Sequence, residues 1–315
     1  MPDLKVVPND PPSPLAQLIT DYLTHCRARG LSPKTVRDHY GFALEKVFLP
    51  WCDREGIRDP VDVTSRILDR YSTDLLENGG KRGPLSRESI RTFTSSVNYF
   101  LTWARREGEI THEAAAQVPK VPQKVLEILD RDELQRLEDS ARNERDKLVI
   151  RLFADTGIRV GELLALRLSD LVERDRNHYL RIQGKGGKER LVPIPRLHRR
   201  LERYILRGRP GDGTSTRLFL ASRRDRRTGD YEPLTKSGIE QLIRNVAEVA
   251  EIGRRVHPHL LRHSYATWAL NKGMNPILLA QLLGHSSLTM IQRTYSHQTP
   301  ADAHDLLARL LADER

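Results

Sequence analysis

Apolar residues recur at the i, i+3, i+4 spacing of amphipathic α-helices over four stretches before residue 118. These stretches are residues 15–29, 33–47, 64–76 and 86–104. Ser32 and Ser86 stand where a side chain can cap a helix N-terminus, and Pro33 suits a first helical turn. No run of alternating polar and apolar residues appears before Val118, so this part is predicted to be all helical.

A change of pattern at residue 118 predicts a domain boundary. Residues 118–124 contain two prolines and two lysines with no periodicity, which is typical of an extended linker. The proline-rich beginning of the chain cannot sustain a helix and is predicted to be disordered. The predicted organisation is a disordered tail (1–13), a helical domain (14–118), a linker (119–128) and a second domain (129–315).

Helical periodicity resumes after the linker. Asp130 and Glu133 have the spacing of a capping box, and a helix over residues 147–154 runs into a glycine turn before Arg159. Arg159 then begins a new helix with Glu162 one turn further on the same face, where the carboxylate can orient the guanidinium. The spacing of apolar residues over 235–250 predicts another amphipathic helix, with Val249 on its buried face.

One convincing β segment interrupts these helices. Residues 179–182 and 190–194 are short β-prone runs on either side of the glycine-rich sequence 183–189, which predicts a hairpin with Lys185 at or near its tip. The fold class is therefore mostly α with a small antiparallel β-hairpin or sheet, that is, an α+β second domain preceded by a helical N-terminal domain.

The last quarter of the chain places reactive side chains at helix ends. Pro258 begins a helix that carries His259 and Arg262, and Gly284 ends the next helix just before His285. A further helix from about residue 287 presents Tyr295 near its end, so three helix ends are predicted to converge.

Composition narrows the classes of partner. The chain of 315 residues is 38% hydrophobic, which suits two globular domains, and its net charge of +10 indicates a polyanionic partner. Basic and acidic residues balance over 1–118, so the whole excess of positive charge follows residue 118. Cys26 and Cys52 lack metal-ligand spacing and are predicted to be buried or free thiols. With no long apolar span and no signal peptide, we expect a cytoplasmic protein without membrane partners.

Six of these side chains together suit phosphoryl transfer without a metal: Arg159, Lys185, His259, Arg262, His285 and Tyr295. Two arginines, Arg159 and Arg262, can clamp the non-bridging phosphate oxygens and stabilise the charge of a pentacoordinate state. A phenol such as Tyr295 needs help to lose its proton, and His259 is a plausible base. Lys185 can protonate a departing oxygen. We therefore expect no metal and no cofactor.

At these residues the sequence resembles the tyrosine recombinases of the phage integrase family. The motifs that carry the resemblance are Thr156-Gly157-Ile158-Arg159-Val160-Gly161-Glu162-Leu163, Gly184-Lys185-Gly186, His259-Leu260-Leu261-Arg262-His263, Leu282-Leu283-Gly284-His285 and Tyr295. The resemblance covers the C-terminal half and, more loosely, the helical N-terminal half, which matches the core-binding domain of that family.

The resemblance implies a mechanism and an assembly. Tyr295 would attack a DNA phosphodiester and leave a 3′-phosphotyrosyl link, assisted by Arg159, Lys185, His259, Arg262 and His285, with Glu162 in support. Family members work as homotetramers on two duplexes and pass through a Holliday junction. The segment 301–311 resembles the tail helix that such proteins dock on a neighbouring protomer, in trans, although packing within its own chain is the alternative.

Further basic and polar residues are candidates for contact with double-stranded DNA. They are Lys34, Arg37, Arg87, Arg91, Lys120, Lys124, Lys236, Gln241 and Arg244. Two other functions stay open: a type IB topoisomerase, which reseals the same strand, and a non-catalytic sequence-specific DNA-binding protein. The sequence does not indicate the recognition site, any accessory protein, or a choice among a simple integrase, a transposon recombinase and a Xer-type resolvase.

Overall fold

Two compact units make up the chain, Met1–Val125 and Leu126–Arg315, in a computed structural model that describes residues 11–79, 83–121, 127–184, 187–211 and 215–284. Each unit has its own hydrophobic core. The finer boundaries expected at residues 118 and 129, and the names core-binding and catalytic domain, stay predictions.

The described part of the first unit contains four long helical segments. They are α1 (Pro14–Ala28), α2 (Pro33–Thr35, continuing through the π-helical turns Val36–Phe48 into Leu49–Arg54), α3 (Ser65–Glu77) and α4 (Arg87–Arg106). Side-chain oxygens of Ser32, Thr64 and Ser86 accept hydrogen bonds from backbone N–H groups in the first turns of α2, α3 and α4. No strand occurs in the described residues of this unit, which confirms the helical prediction for them.

Aromatic and aliphatic side chains fill the core between these helices. Phe48 and Tyr71 are fully buried with their ring centroids 5.1 Å apart, and Trp51 lies at the same distance from Tyr71. Burial of each such side chain contributes about 1.5–3 kcal/mol, which outweighs the modest helix propensity of aromatic residues. Cys26 and Cys52 are buried free thiols, as predicted. Burial raises the pKa of Cys52 to about 12, so this thiol is not a nucleophile at neutral pH.

The second unit is also largely helical. Its helices are α5 (Arg131–Ser140), α6 (Glu144–Thr156), α7 (Val160–Ala165), α8 (His198–Arg203, extended by the π-helical turn Tyr204–Gly208), α9 (Lys236–Val249), α10 (Pro258–Asn271) and α11 (Pro276–Leu283). The capping box predicted at the start of α5 is present, because Asp130 and Glu133 each accept the other's backbone N–H.

A three-stranded antiparallel sheet separates α7 from α8. Its order is β1 (Leu171–Arg174), β2 (Asn177–Gln183) and β3 (Glu189–Pro193), with Leu180 of β2 paired to both Leu171 and Val192. The sequence predicts the hairpin of β2 and β3 but not β1. The two-residue turn before β2 uses Asp175 and Arg176 at φ 51° and 62°, so the Asn-Gly or Asp-Gly signal of such turns is missing.

In the core of the second unit α6 packs against α10, and the same hydrophobic cluster includes buried residues of the sheet. Phe153, Leu180 and Leu261 are fully buried within it. The inward orientation predicted for Val249 is wrong, since 62% of that side chain is exposed where α9 ends. No helix within the described ranges is long and apolar enough to cross a bilayer.

Candidate active site

Four of the predicted catalytic and supporting residues belong to the described part of the chain: Arg159, Glu162, His259 and Arg262. The other three, Lys185, His285 and Tyr295, lie outside the described residues. The structure therefore shows the frame around the two arginines, and the roles of Lys185, His285 and Tyr295 stay predictions.

A glycine turn between α6 and α7 places the first arginine. Gly157 ends α6 in the left-handed region, at φ 61°. A Cβ atom there would stand 2.6 Å from Cδ1 of Tyr265 and 2.7 Å from Cδ2 of Leu283, closer than carbon atoms approach. Both the backbone conformation and the tight packing require glycine, and together they bring the start of α7 against α10 and α11.

Arg159 and Glu162 form the pair that their spacing predicts. Nη1 of Arg159 donates to Oε1 of Glu162 at 2.9 Å, and the backbone N–H of Arg159 donates to Oε2 at 2.8 Å. Burial alone would raise the pKa of the Glu162 carboxyl, but hydrogen bonds from Arg190 and Arg159 lower it below its ordinary value. Glu162 is therefore a buried carboxylate that fixes the guanidinium of Arg159.

The C-terminal end of α11 accepts the remaining hydrogen bonds of Arg159. Nη1 donates to the Leu283 carbonyl at 3.1 Å, and Nη2 donates to the Gly284 carbonyl at 3.0 Å. These carbonyls have no partner within their own helix and carry its partial negative charge, which favours a cation. The contact joins the start of α7 to the backbone that immediately precedes His285 in the sequence.

Arg262 donates to the same Leu283 carbonyl as Arg159. It projects from the second turn of α10, is 5% exposed, and donates to the Leu283 carbonyl at 2.8 Å and to the Gly157 carbonyl. Burial and the neighbouring Arg159 lower the pKa of Arg262, but a guanidinium starts so high that it stays charged at neutral pH. Two cationic side chains thus converge on one backbone oxygen.

His259 lies beside this pair on a cleft of ≈ 280 Å³. Burial lowers the pKa of the His259 imidazole, and so do Arg262, Lys236 and Arg159. The ring is therefore neutral at pH 7 and able to accept a proton. The N-terminus of α10 is capped by His257, whose Nδ1 accepts the Leu260 N–H at 3.2 Å, which leaves His259 for another role.

Arg190 is a site residue that the sequence reasoning missed. Its Nη1 and Nη2 donate to the two carboxylate oxygens of Glu162 at 3.0 and 2.8 Å, and its Nε donates to the Leu282 carbonyl at 2.7 Å. The available signal was a single basic residue beginning a β-prone run five positions after Lys185. Within the described ranges, no group of three or more histidine, cysteine or carboxylate side chains has the arrangement of a metal site.

The candidates for DNA contact on α9 separate onto two clefts. Lys236 and Arg244 line the same cleft as His259, together with Arg255. Gln241 lines a different cleft of ≈ 520 Å³ and donates to Asn245 at 2.6 Å. Lys236 and Arg244 therefore share a cleft with His259, whereas Gln241 lines the other cleft, and contact with DNA stays a prediction for all three.

The candidates in the first unit are exposed side chains. Lys34 and Arg37 lie at the start of α2, Arg87 and Arg91 lie on the first turns of α4, and Lys120 follows that unit's last helix. Arg37 forms an exposed ion pair with Asp38 at 2.7 Å, so contact with DNA would have to replace that partner. Lys124 lies outside the described residues.

The helical fold with its small sheet, and a buried carboxylate that aligns arginines beside a neutral histidine, define a protein that acts on phosphodiesters. Comparison with known proteins names the class: the model of the phage integrase family matches residues 127–302, and the chain belongs to that family. It is a tyrosine recombinase, a DNA strand transferase, as the motifs indicate.

One relative and two solved structures are similar to most of the chain. Tyrosine recombinase XerD of Corynebacterium glutamicum is 31% identical over 296 residues, which cover 90% of this chain and 93% of that protein. Among solved structures, the post-cleavage complex of XerH recombinase with a palindromic difH substrate matches with a TM-score of 0.68 at 21% identity, covering 94% of this chain and 85% of that one. A lambda integrase tetramer bound to a Holliday junction has a TM-score of 0.67 at 21% identity, covering 89% and 76%.

Proposed function

We propose that this chain cleaves and rejoins DNA at a specific site through a covalent 3′-phosphotyrosyl intermediate, with Tyr295 as the nucleophile. The observation that carries the proposal is the convergence of Arg159 and Arg262 on the Leu283 carbonyl, next to a neutral His259. Two cationic side chains at the end of one helix, with a proton-accepting imidazole nearby, suit a phosphate better than they suit any other common ligand.

The chemistry exchanges one phosphoester for another. The phenolic oxygen of Tyr295 attacks phosphorus, the bond from phosphorus to the 5′-oxygen breaks, and the 5′-hydroxyl leaves with a proton. The three hydrogen bonds of Arg159 within the described residues leave two of its five N–H groups for a non-bridging oxygen. Because the phosphotyrosyl link retains the energy of the broken bond, a 5′-hydroxyl from another strand can reseal it without ATP.

Each remaining residue has a role that follows from its chemistry. His259 is neutral and accepts the proton of the phenol, and Lys185 protonates the departing 5′-oxygen. His285 follows Gly284 in the sequence, and because Arg159 binds the Gly284 carbonyl, this supports a role for His285 at the same phosphate. No step needs a metal or a cofactor, because the arginines supply the positive charge that the transition state requires.

A nicked suicide duplex tests the nucleophile. The duplex is first recovered by selecting a randomised library for binding to the purified protein, and a nick beside the cleavage position then lets the 5′-hydroxyl fragment diffuse away. The wild-type protein should accumulate a covalent adduct on this duplex, and Tyr295→Phe should not. An adduct that persists undiminished in Tyr295→Phe would sink the assignment.

The arginine clamp and the general acid need separate tests. Arg262→Ala should lower the rate of single-turnover cleavage by about 10²–10³-fold while DNA binding is largely retained. Loss of binding in step with cleavage would count against the clamp. Lys185→Ala should be rescued by a substrate whose 5′-bridging oxygen is replaced by sulfur, because a thiol with a pKa of about 8.5 leaves without a proton. Equal defects on both substrates would exclude Lys185 as the acid.

The reaction products distinguish recombination from the two alternative functions, a type IB topoisomerase and a non-catalytic DNA-binding protein. Strand exchange between two differently labelled duplexes is expected of a recombinase, whereas relaxation of a supercoiled plasmid without exchange would indicate a topoisomerase of type IB. A non-catalytic binding protein would form no adduct at all.

In the proposed recombinase, residues 14–118 would supply the core-binding domain and residues 119–128 the linker to the catalytic domain (129–315).

We also propose a homotetramer on two DNA sites, in which residues 301–311 of one protomer dock on the next. The lambda integrase tetramer on a Holliday junction supports this arrangement by analogy of fold. Truncation after residue 300 should reduce assembly on DNA, seen by sedimentation, while single-site binding is retained. Assembly that is unaffected by the truncation would leave packing within the same chain. We expect the reaction to take place in the cytoplasm.

A further inference from the structure

Arg190 connects three pieces of the catalytic half through one guanidinium group. It is the second residue of β3, the second strand of the hairpin that carries Lys185 in its connection. Its Nη1 and Nη2 donate to the two oxygens of Glu162, and its Nε donates to the Leu282 carbonyl in the last turn of α11. Only 13% of the side chain is exposed, so these bonds have little competition from water.

The backbone at the end of α11 rests directly on this guanidinium. A Cβ atom at Gly284 would stand 2.8 Å from Nη1 and 3.0 Å from Cζ of Arg190, and 3.3 Å from Nη1 of Arg159. Gly284 also has a φ of 64°, which favours glycine. The planar group thus supports the chain at the position that precedes His285 in the sequence.

Glu162 is shared between two arginines with a definite division of its oxygens. Oε1 accepts from Nη1 of Arg159 and Nη1 of Arg190, and Oε2 accepts from the Arg159 N–H and Nη2 of Arg190. With all four bonds present, the carboxylate has one orientation. Without Arg190, two of the four bonds disappear, and the carboxylate can rotate away from the geometry that aims Arg159.

We propose that Arg190 is a positioning residue of strand cleavage: it holds Glu162 and the end of α11 in register, so that Arg159 and Arg262 meet the scissile phosphate together. The inference rests on the proposed function, because it assigns no contact with DNA to Arg190 itself. A role in stability alone is the competing explanation, since removal of one partner from a buried ion pair destabilises a fold.

The planar guanidinium group allows a test of whether Arg190 orients Glu162 or only supplies a positive charge. A lysine at this position would keep the positive charge but could not bridge both oxygens of Glu162 and also reach the Leu282 carbonyl with a fixed geometry. Arg190→Lys should therefore cleave slowly although it folds and binds DNA. A defect repaired by lysine would mean that charge, and not orientation, is what Arg190 supplies.

Arg181 offers a matched control. It lies on the neighbouring strand β2, donates to the Ser169 carbonyl at 3.1 Å and lies 4.0 Å from Asp170, and neither of these partners is a site residue. Arg190→Ala and Arg190→Lys should lower single-turnover cleavage of the selected nicked duplex by about a hundredfold, the usual effect of a misplaced catalytic group. Arg181→Ala should stay within about twofold of the wild type, and all three should bind the duplex with wild-type affinity by fluorescence anisotropy.

A pH profile provides a readout that stability alone does not move. Arg190 is the main partner that keeps the buried Glu162 carboxyl ionised, so its removal lets burial raise the pKa of that group. Cleavage by Arg190→Ala should then begin to fall at a higher pH than wild-type cleavage as the pH is lowered from about 8 to about 5.5. A ¹³C NMR titration of the Glu162 carboxyl should show the same upward shift without any DNA.

The results of these experiments distinguish a failure of the inference about Arg190 from a failure of the proposed function. If Arg190→Ala cleaves at the wild-type rate, or if it cleaves slowly only in proportion to lost thermal stability and the Glu162 titration is unchanged, positioning by Arg190 is overturned. If instead the wild-type protein forms no adduct, or Tyr295→Phe still forms one, the proposed function fails. In that case the NMR titration still decides whether Arg190 controls Glu162.

Discussion

Substitution of Gly157 by alanine should destabilise the second unit more than any surface change. The residue has a φ of 61°, and an added Cβ would lie 2.6 Å from Tyr265 and 2.7 Å from Leu283. The left-handed conformation costs a non-glycine residue about 1–2 kcal/mol. The shifts needed to relieve two such contacts in a packed core cost about 1–3 kcal/mol more. The total loss of folding stability is therefore about 2–5 kcal/mol.

Alanine substitution of Gly161, which lies about one helical turn after Gly157, should have the opposite effect on stability. Gly161 lies inside α7, has no positive φ, and an added Cβ would meet no atom of the described residues within 4 Å. Gly161→Ala should therefore stabilise the protein by about 0.5–1 kcal/mol through helix propensity. Urea unfolding followed by circular dichroism measures both variants, and hydrogen exchange across α10 and α11 assigns the change to the second unit. A Gly157→Ala protein as stable as the wild type would refute the packing argument for this turn.

Three further predictions concern charge and hydrogen bonding. Glu162→Gln should reduce cleavage by at least about tenfold with DNA affinity unchanged, because a neutral amide holds Arg159 less firmly; a wild-type rate by single-turnover assay would contradict this. The wild-type cleavage rate should rise as the pH passes through the lowered pKa of His259, below about 6.5, and then stay level; a rise centred above that value would exclude His259 as the base. Ser264→Ala should cost about 1–3 kcal/mol in urea unfolding, because it leaves the buried Leu129 N–H without its acceptor at 2.8 Å; an unchanged midpoint would mean that the N–H finds another partner.

Local signals in the sequence predict most of the fold. Ser32, Thr64 and Ser86 cap the helices that they precede, and Gly157 and Gly284 end helices in left-handed turns. These features depend on neighbours within about four residues, so a single sequence contains them. The sequence does not predict strand β1 because its turn uses Asp175 and Arg176 in place of the glycine that signals such turns.

The candidate site is predictable only where its contacts are local. The pair of Arg159 and Glu162 follows from a spacing of three along a helix. The contacts of Arg190 with Glu162 and Leu282 span 28 and 92 residues, and no periodicity or motif reports contacts at such separations. The sequence supplies the reactive groups, whereas the fold determines which of them share a partner.

Electrostatics explains why these groups meet at the end of α11. Arg159, Arg190 and Arg262 bring three positive charges to one carboxylate, Glu162, and like charges at this distance repel. Three backbone carbonyls, those of Leu282, Leu283 and Gly284, offset part of that repulsion with the partial negative charge of a helix C-terminus. The balance still leaves the site electropositive and its arginines already oriented. Under the proposed function, a phosphodiester would supply negative charge to guanidinium groups that are already oriented, and this is the condition under which fixed cations stabilise a transition state most effectively.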